Sequence, residues 1–375
     1  MELKKRFSLN ENELEEILAC RSSASRPYEA LGKEHLSIDD FASILKKDDG
    51  DPEFFEKLAQ RARETTNMRF GLVKGLYIPL YLSNACHNSC TYCGFSIDNR
   101  VKRVTLKIEE VHNELKTIYA KGFRNILLVS GELKDFSNRE YLAECVKAAR
   151  DRGFHSIAVE LGALDGETSK MLAKGGAQSF VLYQETYHRE TYGRMHTGGL
   201  KKDFDLRLQG IGRAIEAGFK QATLGFLAGL HDYRFEALAL YSHLSFLKKE
   251  YRDMEFSVSF PRLTQAYGVR GSFERVKDKS YATMLMAFRL AFPEVSINLS
   301  TRETPAFRDG MSRICATHLS VESKTQPGGY IEGENGELEQ FTIHDGRTLD
   351  EMTAALKRMG YDVHFKDWEM ELNRI

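Results

Sequence analysis

The spacing of apolar residues along this chain changes period once, near Gly75. Before it the pattern is helical. Leu14, Ile17 and Leu18 make an i, i+3, i+4 stripe, Ser37 and Asp40 have capping-box spacing ahead of FASILKK, and PEFFEKLAQRARETT continues as a polar-faced helix. From Gly75 on, short apolar runs alternate with amphipathic helical stretches. The runs at 77–84, 125–131, 156–162, 179–185, 221–227, 255–263, 295–302 and 317–325 read as eight strands. IEEVHNELKTIYAKG, REYLAECVKAARDRG and LQGIGRAIEAG are clear helices between them, and the helices of the last two intervals are less clearly patterned. Strict βα alternation predicts a parallel sheet covered by helices, and eight strands are the number that closes a (βα)8 TIM-type barrel. A doubly wound open sheet is the rival arrangement. The expected organisation is a helical extension over 1–74, the barrel over 75–330 and a mixed C-terminal segment over 331–375, with a helix near TLDEMTAALKRMG. Polar residues stand at the expected C-terminal ends of strands, namely Ser83, Asn84, Glu132, Glu185, Arg302 and Ser323. In a parallel barrel that rim carries the chemistry.

Composition narrows the partners. Basic and acidic side chains number 53 and 54, so the basic surplus of a nucleic-acid binder is missing. No apolar run reaches the roughly 18 residues of a membrane span. The start, MELKKRFSLNENELEEIL, turns acidic where a signal peptide turns apolar. These features predict a cytoplasmic protein.

The chemistry lies in the cysteines. Three of the six, Cys86, Cys90 and Cys93, form C-x3-C-x2-C directly after the first strand. Thiolates select zinc, copper(I) or iron–sulfur clusters. Structural zinc usually takes four ligands, often two separated pairs, and no fourth is evident here. Three thiolates on a [4Fe–4S] cubane leave one iron open. That iron can chelate the amino and carboxylate groups of S-adenosylmethionine (SAM), whose reductive cleavage gives methionine and a 5′-deoxyadenosyl radical. Cys20, Cys145 and Cys315 read as small buried hydrophobes.

Longer stretches carry a more specific resemblance: YIPLYLSNACHNSCTYCGFSIDNRVKR, LYQETYHRETYGRMH, FSVSFPRL, LSTRETPAFRD and SKTQPGGY, with ELEQF and KDW near the end. From about Arg69 to Trp368 the chain resembles the 2-iminoacetate synthases, radical SAM tyrosine lyases of bacterial thiamine thiazole formation. The resemblance implies a full (βα)8 barrel and cleavage of the Cα–Cβ bond of L-tyrosine to 2-iminoacetate and 4-methylphenol. It also implies hydrogen abstraction from the tyrosine amino group, delivery of product to thiazole synthase, and a flavodoxin or ferredoxin reductant.

The same resemblance assigns residues. Cys86, Cys90 and Cys93 would hold the cluster. Tyr92 would pack near the adenine, and the backbone at Gly94–Phe95 would bond its edge. Gly131 and Glu132 would receive the methionine amino group, Glu185 the ribose hydroxyls and Arg207 the SAM carboxylate, for which a guanidinium fork is suited. Arg302 would clamp the substrate carboxylate, completed by Tyr81 and by Ser320 or Ser323. The bland reading of Arg302 is an ion pair with Glu303 or Asp309. His188, His196 and His231 are proton donors by type only, and a structural role suits each better. The segment 225–229, GFLAG, is a weak hint of SAM contact. Three rivals stand beside this reading. One is a lyase for another aromatic amino acid such as tryptophan. Another is the tyrosine lyase of [FeFe]-hydrogenase maturation, disfavoured because no cysteine follows Cys315. The third is a non-catalytic metal-binding scaffold.

Overall fold

The computed structural model describes residues 6–47, 50–133, 138–269, 273, 275–331 and 339–364. Its strands are β1 (Val73–Ser83), β2 (Ser89–Cys90), β3 (Asn125–Ser130), β4 (Ser156–Glu160), β5 (Ser179–Glu185), β6 (His196–Gly198), β7 (Gln221–Phe226), β8 (Glu255–Ser259), β9 (Ser296–Leu299), β10 (His318–Ser320) and β11 (Asp362–His364). Eight of them run parallel in the order β10-β9-β8-β7-β5-β4-β3-β1. The sheet then closes, because Gly75, Leu76 and Tyr77 pair with His318, Leu319 and Ser320. An open doubly wound sheet is thereby excluded. Each expected strand is present, and helices 278–291 and 305–314 fill the two intervals whose pattern was least clear. β11 adds to the N-terminal end of β1 outside the barrel. β2 and β6, far apart in sequence, form a small two-stranded antiparallel sheet that the sequence pattern did not predict.

Strand alternation sorts the side chains. Ile78, Leu80, Leu82, Ile126, Leu128, Ile157 and Val159 point outward into the core under the helices, where each is essentially inaccessible. Such burial stabilises by about 1.5–3 kcal/mol per large aliphatic side chain. The opposite parity faces the barrel axis. In its upper half Tyr81, Phe95, Leu127, Val129 and Val181 cluster with Tyr77, Ala158 and Tyr183. In the lower half the inward residues are small or polar. Asn125, Ser156, Ser179, Gln221, Ser257 and Asn298 line a cavity of about 630 Å³ that reaches up to Tyr77 and Tyr183. It lies among the strand N-termini, at the end of the barrel opposite the cysteines.

The N-terminal helices (11–19, 26–31, 38–46 and 52–70) wrap the outer ring. Ser37 and Asp40 form the expected capping box, and Phe41 meets Phe288 of helix 278–291 edge-on at 4.9 Å. The C-terminal helix is Leu349–Arg358. Cys145 and Cys315 are buried as expected, but Cys20 is exposed just past the end of the first helix. That helix is too short to cover its own C-terminal flank. The KDW segment (366–368) lies outside the described residues. No described helix is long and apolar enough to cross a membrane.

Candidate active site at the C-terminal rim of the barrel

The three cysteines sit on the loop between β1 and helix Ile108–Ala120. Backbone carbonyls in this loop are gathered by two side chains. Arg103 donates to the carbonyls of Asn84, Phe95, Ser96 and Asn99. Asn99 donates to those of Cys93 and Gly94 at 3.1 Å. Asn84 anchors the loop's return, accepting from Val104 N–H at 2.7 Å and donating to Lys102 O at 2.9 Å. Gly131 is where β3 passes under this loop. A Cβ there would lie 2.2 Å from the Ala85 carbonyl oxygen, so only glycine permits the approach.

The cysteine thiols are buried or half-buried. Burial pushes all three above the ordinary thiol range, against a counteracting pull from Lys201 on Cys90 and Cys93. Stable thiolates here need a bound cation. Among the described residues no three His, Cys, Asp or Glu are close enough to hold a single metal ion. A cubane places its thiolates on three different irons and spreads its ligands wider than one ion does. Three thiol donors gathered on one loop fit an iron–sulfur cluster that leaves one iron open.

Beside the cysteines lies a buried charge network. Arg207, 5% exposed, donates Nη1 to Glu132 Oε1 (2.9 Å), Nη2 to Glu185 Oε1 (3.0 Å) and Nε to the Tyr183 carbonyl (2.6 Å). Lys201 adds a second cation on Glu185 at 2.5 Å. Burial alone would raise the Glu185 carboxyl, but Lys201 and Arg207 together hold it below the usual range. Glu185 also has φ 72°, a left-handed backbone rare outside glycine, beside a register shift between β5 and β7. That strain turns its carboxylate into the network. Asn88, between two cysteines, donates to Glu132 (3.0 Å) and accepts from Lys201 N–H (3.0 Å). Arg207 thus spends three N–H donors on protein groups instead of standing free.

Tyr92 is buried and its hydroxyl meets His196 Nε2 at 2.7 Å. Burial, with Lys201 and Arg207 nearby, drives His196 down to about 2, so it is a neutral hydrogen-bonding ring. Cys90 and Tyr92 pack with Leu227 and Leu230, which brings the GFLAG segment against the cysteine loop. Phe95 projects into the barrel axis, edge-on to Tyr81 at 5.9 Å. Its N–H points at Cys93 Sγ (3.4 Å) and the Gly94 N–H at Gln340 O (3.1 Å). The two N–H groups of the Gly94–Phe95 step, expected to lie at the adenine edge, thus have partners within the protein.

On the opposite arc stands Arg302, just past β9. Its bland reading fails: Glu303 is paired with Arg262 (3.0 Å) and Asp309 with Arg347 (2.8 Å). Among the described residues no carboxylate pairs with Arg302, and its Nε lacks a hydrogen-bond partner. Its guanidinium lies flat on Phe341, 3.4 Å from the ring centroid. Tyr81 donates to Gln340 Oε1. Ser320 is occupied, accepting from Thr301 N–H at 3.1 Å. Ser323 is buried with an unpartnered hydroxyl. His188 caps a helix and stacks on His231 at 3.9 Å, so both are accounted for structurally. Sequence reasoning missed Lys201, Gln340, Phe341 and Glu160. Glu160 carried a signal as the lone charge in the apolar run SIAVELG, and Gln340 and Phe341 stand in the ELEQF stretch of the resemblance without a role being read from it.

Comparison with known proteins now decides the family. Residues 80–241 match the model for the radical SAM superfamily, and 259–362 match the biotin and thiamin synthesis associated domain. The 2-iminoacetate synthases of Salmonella typhimurium and Escherichia coli are each 39% identical to the chain over 346 residues, covering 92% of it and 91% of the relative. The chain belongs to the 2-iminoacetate synthase family. A crystal structure of HydG, a maturase of the [FeFe]-hydrogenase, superposes with TM-score 0.91 at 30% identity, covering 97% of this chain and 82% of that one. Methylornithine synthase (PylB) shares the fold, with TM-score 0.75 at 21% identity over 91% of this chain and 97% of its own. As a 2-iminoacetate synthase family member the protein is a radical SAM carbon–carbon lyase that uses a [4Fe–4S] cluster and SAM.

Proposed function

We propose that the protein cleaves the Cα–Cβ bond of L-tyrosine, giving 2-iminoacetate for the thiazole of thiamine together with 4-methylphenol. The observation that carries this reading is a half-buried arginine with no carboxylate partner among the described residues, Arg302, at the rim of the barrel that bears three cluster-spaced cysteines. An uncompensated guanidinium drawn out of water is costly, and a substrate carboxylate offsets it.

Cys86, Cys90 and Cys93 would hold the cluster, and Glu132, Glu185, Arg207 and Tyr92 would surround SAM. When bound, these groups supply a 5′-deoxyadenosyl radical. The protein's part is placement and exclusion of water. Arg302, fixed by stacking on Phe341, presents its fork to the substrate carboxylate. Ser323, with its free hydroxyl, suits that clamp better than Ser320. Tyr81 and Phe95 pack edge-on inside the barrel beside Cys86 and Cys93, so that a radical formed there meets apolar side chains and substrate before solvent. Thiazole synthase as recipient and flavodoxin or ferredoxin as reductant belong to the same proposal.

The test is anaerobic reconstitution with iron and sulfide, then SAM, dithionite and L-tyrosine, with products resolved by mass. 5′-Deoxyadenosine with 4-methylphenol supports the reading. Deoxyadenosine with 4-methylphenol absent sinks it and moves the substrate to another aromatic amino acid, tryptophan first.

A further inference from the structure

Among the described strand-end glutamates of the barrel's C-terminal rim, the ion-pair network leaves Glu160 unused. Glu132 and Glu185 are bound by Arg207 and Lys201, and Glu303 by Arg262. Glu160 ends β4, opposite Val129 of β3. Its neighbours Ile157 and Val159 belong to the outer core, whereas Ala158 packs with the cluster inside the barrel. Alternation therefore puts Glu160 on the inner face. It lies deep in the fold yet keeps accessible surface, so it faces interior space and not bulk water. Among the described residues its side chain makes no hydrogen bond or ion pair.

Its electrostatic surroundings join the two halves of the site. Glu160 feels Glu185, Lys201 and Arg207 of the SAM-side network and also Arg302, the substrate-side cation. Tyr77, Tyr81 and Tyr183 feel it in turn. Arg302 and Glu160 do not bond each other. A guanidinium and a carboxyl group held inside one barrel without direct partners are an expensive arrangement once both are ionised. A ligand removes the cost if it carries a negative group toward Arg302 and a positive group toward Glu160. An α-amino acid zwitterion has that polarity.

We infer that Glu160 receives the ammonium group of the amino-acid substrate while Arg302 receives its carboxylate. The amino group is the one from which hydrogen is taken, so Glu160 sets the atom that faces the radical. The assignment rests on the amino-acid lyase reading. It also gives Glu160 a place between cofactor and substrate that no ion pair within the protein competes for.

The test is calorimetric binding to the reconstituted protein without reductant, so that nothing turns over. Wild type, E160Q and E160D are each titrated with L-tyrosine and with 3-(4-hydroxyphenyl)propanoate, which lacks only the amino group. E160Q should weaken L-tyrosine at least about tenfold and change the deaminated acid less than about twofold, with E160D in between; a charged hydrogen bond accounts for a loss of that order. Equal loss on both ligands overturns the inference and moves the carboxyl to the phenol end, and no loss on either overturns it outright. L-tryptophan and indole-3-propanoate form a second pair. If wild type binds L-tryptophan and not L-tyrosine, the tyrosine reading fails, and the Glu160 assignment then stands or falls on that pair's difference.

Discussion

Tyr81 donates its phenol to Gln340 Oε1 at 2.9 Å, and the same Gln340 side chain turns its amide toward Cys93 Sγ at 3.7 Å. One residue from the far end of the chain therefore touches both Tyr81, inside the barrel, and Cys93 of the cysteine loop. Its backbone joins in: the Gln340 carbonyl accepts from Gly94 and its N–H donates to Thr325 O. A Cβ on Gly94 would lie 2.4 Å from the Glu339 carbonyl, so glycine is required for the segment to lie this close.

Q340A should leave all three cysteines able to bind iron but loosen Tyr81. We expect a loss of about 1 kcal/mol in chemical denaturation from the broken bond, full iron content, and less 4-methylphenol per deoxyadenosine. An unchanged product ratio counts against a positioning role for Gln340.

Cys86→Ala, Cys90→Ala and Cys93→Ala should each lower bound iron and sulfide from about four apiece and abolish deoxyadenosine. C145A removes a buried thiol far from the rim and should retain the full complement. Metal analysis together with the cluster's visible absorbance decides it.

R302K keeps a cation but loses the planar fork and the stacking surface for Phe341. L-Tyrosine affinity should drop roughly 10- to 100-fold, the range for a lost charge-assisted pair, with SAM affinity unchanged. Weakening of both ligands together would place Arg302 in the cofactor network instead.

Removing Arg207 takes the ion-pair partner from half-buried Glu132 and one of two cations from buried Glu185. R207M should cost about 3–5 kcal/mol, as for a broken buried pair, read by denaturant titration of the ligand-free protein. A cost below 1 kcal/mol would mean that Lys201 alone holds Glu132 and Glu185.

Glu160 gives a pH dependence with a defined sign. Burial, then Glu185, push its carboxyl up to about 7 against the opposing pull of Arg302, Lys201 and Arg207. The unfolded group titrates near 4.3. Between these values the folded chain holds a proton the unfolded chain has released, so this group's contribution to stability falls as pH rises and is lowest above 7. Ligand-free E160Q should therefore be more stable than wild type at pH 8, with the gap narrowing toward pH 5. A pH-independent gap refutes the assignment.

The barrel was legible in the sequence because each strand is a compact apolar run bounded by a helix, and the outward parity of those runs carries the packing. The ends were less so. β8, β9 and β10 stop at Ser259, Leu299 and Ser320, earlier than the apolar runs suggest. Residues such as Phe260 and Val321 continue the alternation while already buried in rim segments. The cysteines were legible as a local motif. The roles of Gln340, Phe341 and Lys201 were not, even though ELEQF was a familiar stretch, since each reaches the site from a distant segment and no spacing links them to it. Arg207 was recognised by type, but its engagement with Glu132 and Glu185 depends on where the fold brings three separate strand ends together.

The reach of Gln340 also bears on the order in which the protein can be finished. The cysteine loop is complete by Thr105, whereas the segment that lies over it is made more than two hundred residues later. At 5–20 residues per second, that delay is roughly 10–50 s. Throughout it the growing chain has its three thiols but not the cover that later closes on them. Iron and sulfide delivered during that interval would meet the thiols uncovered, and delivered later would have to pass the segment around Gln340.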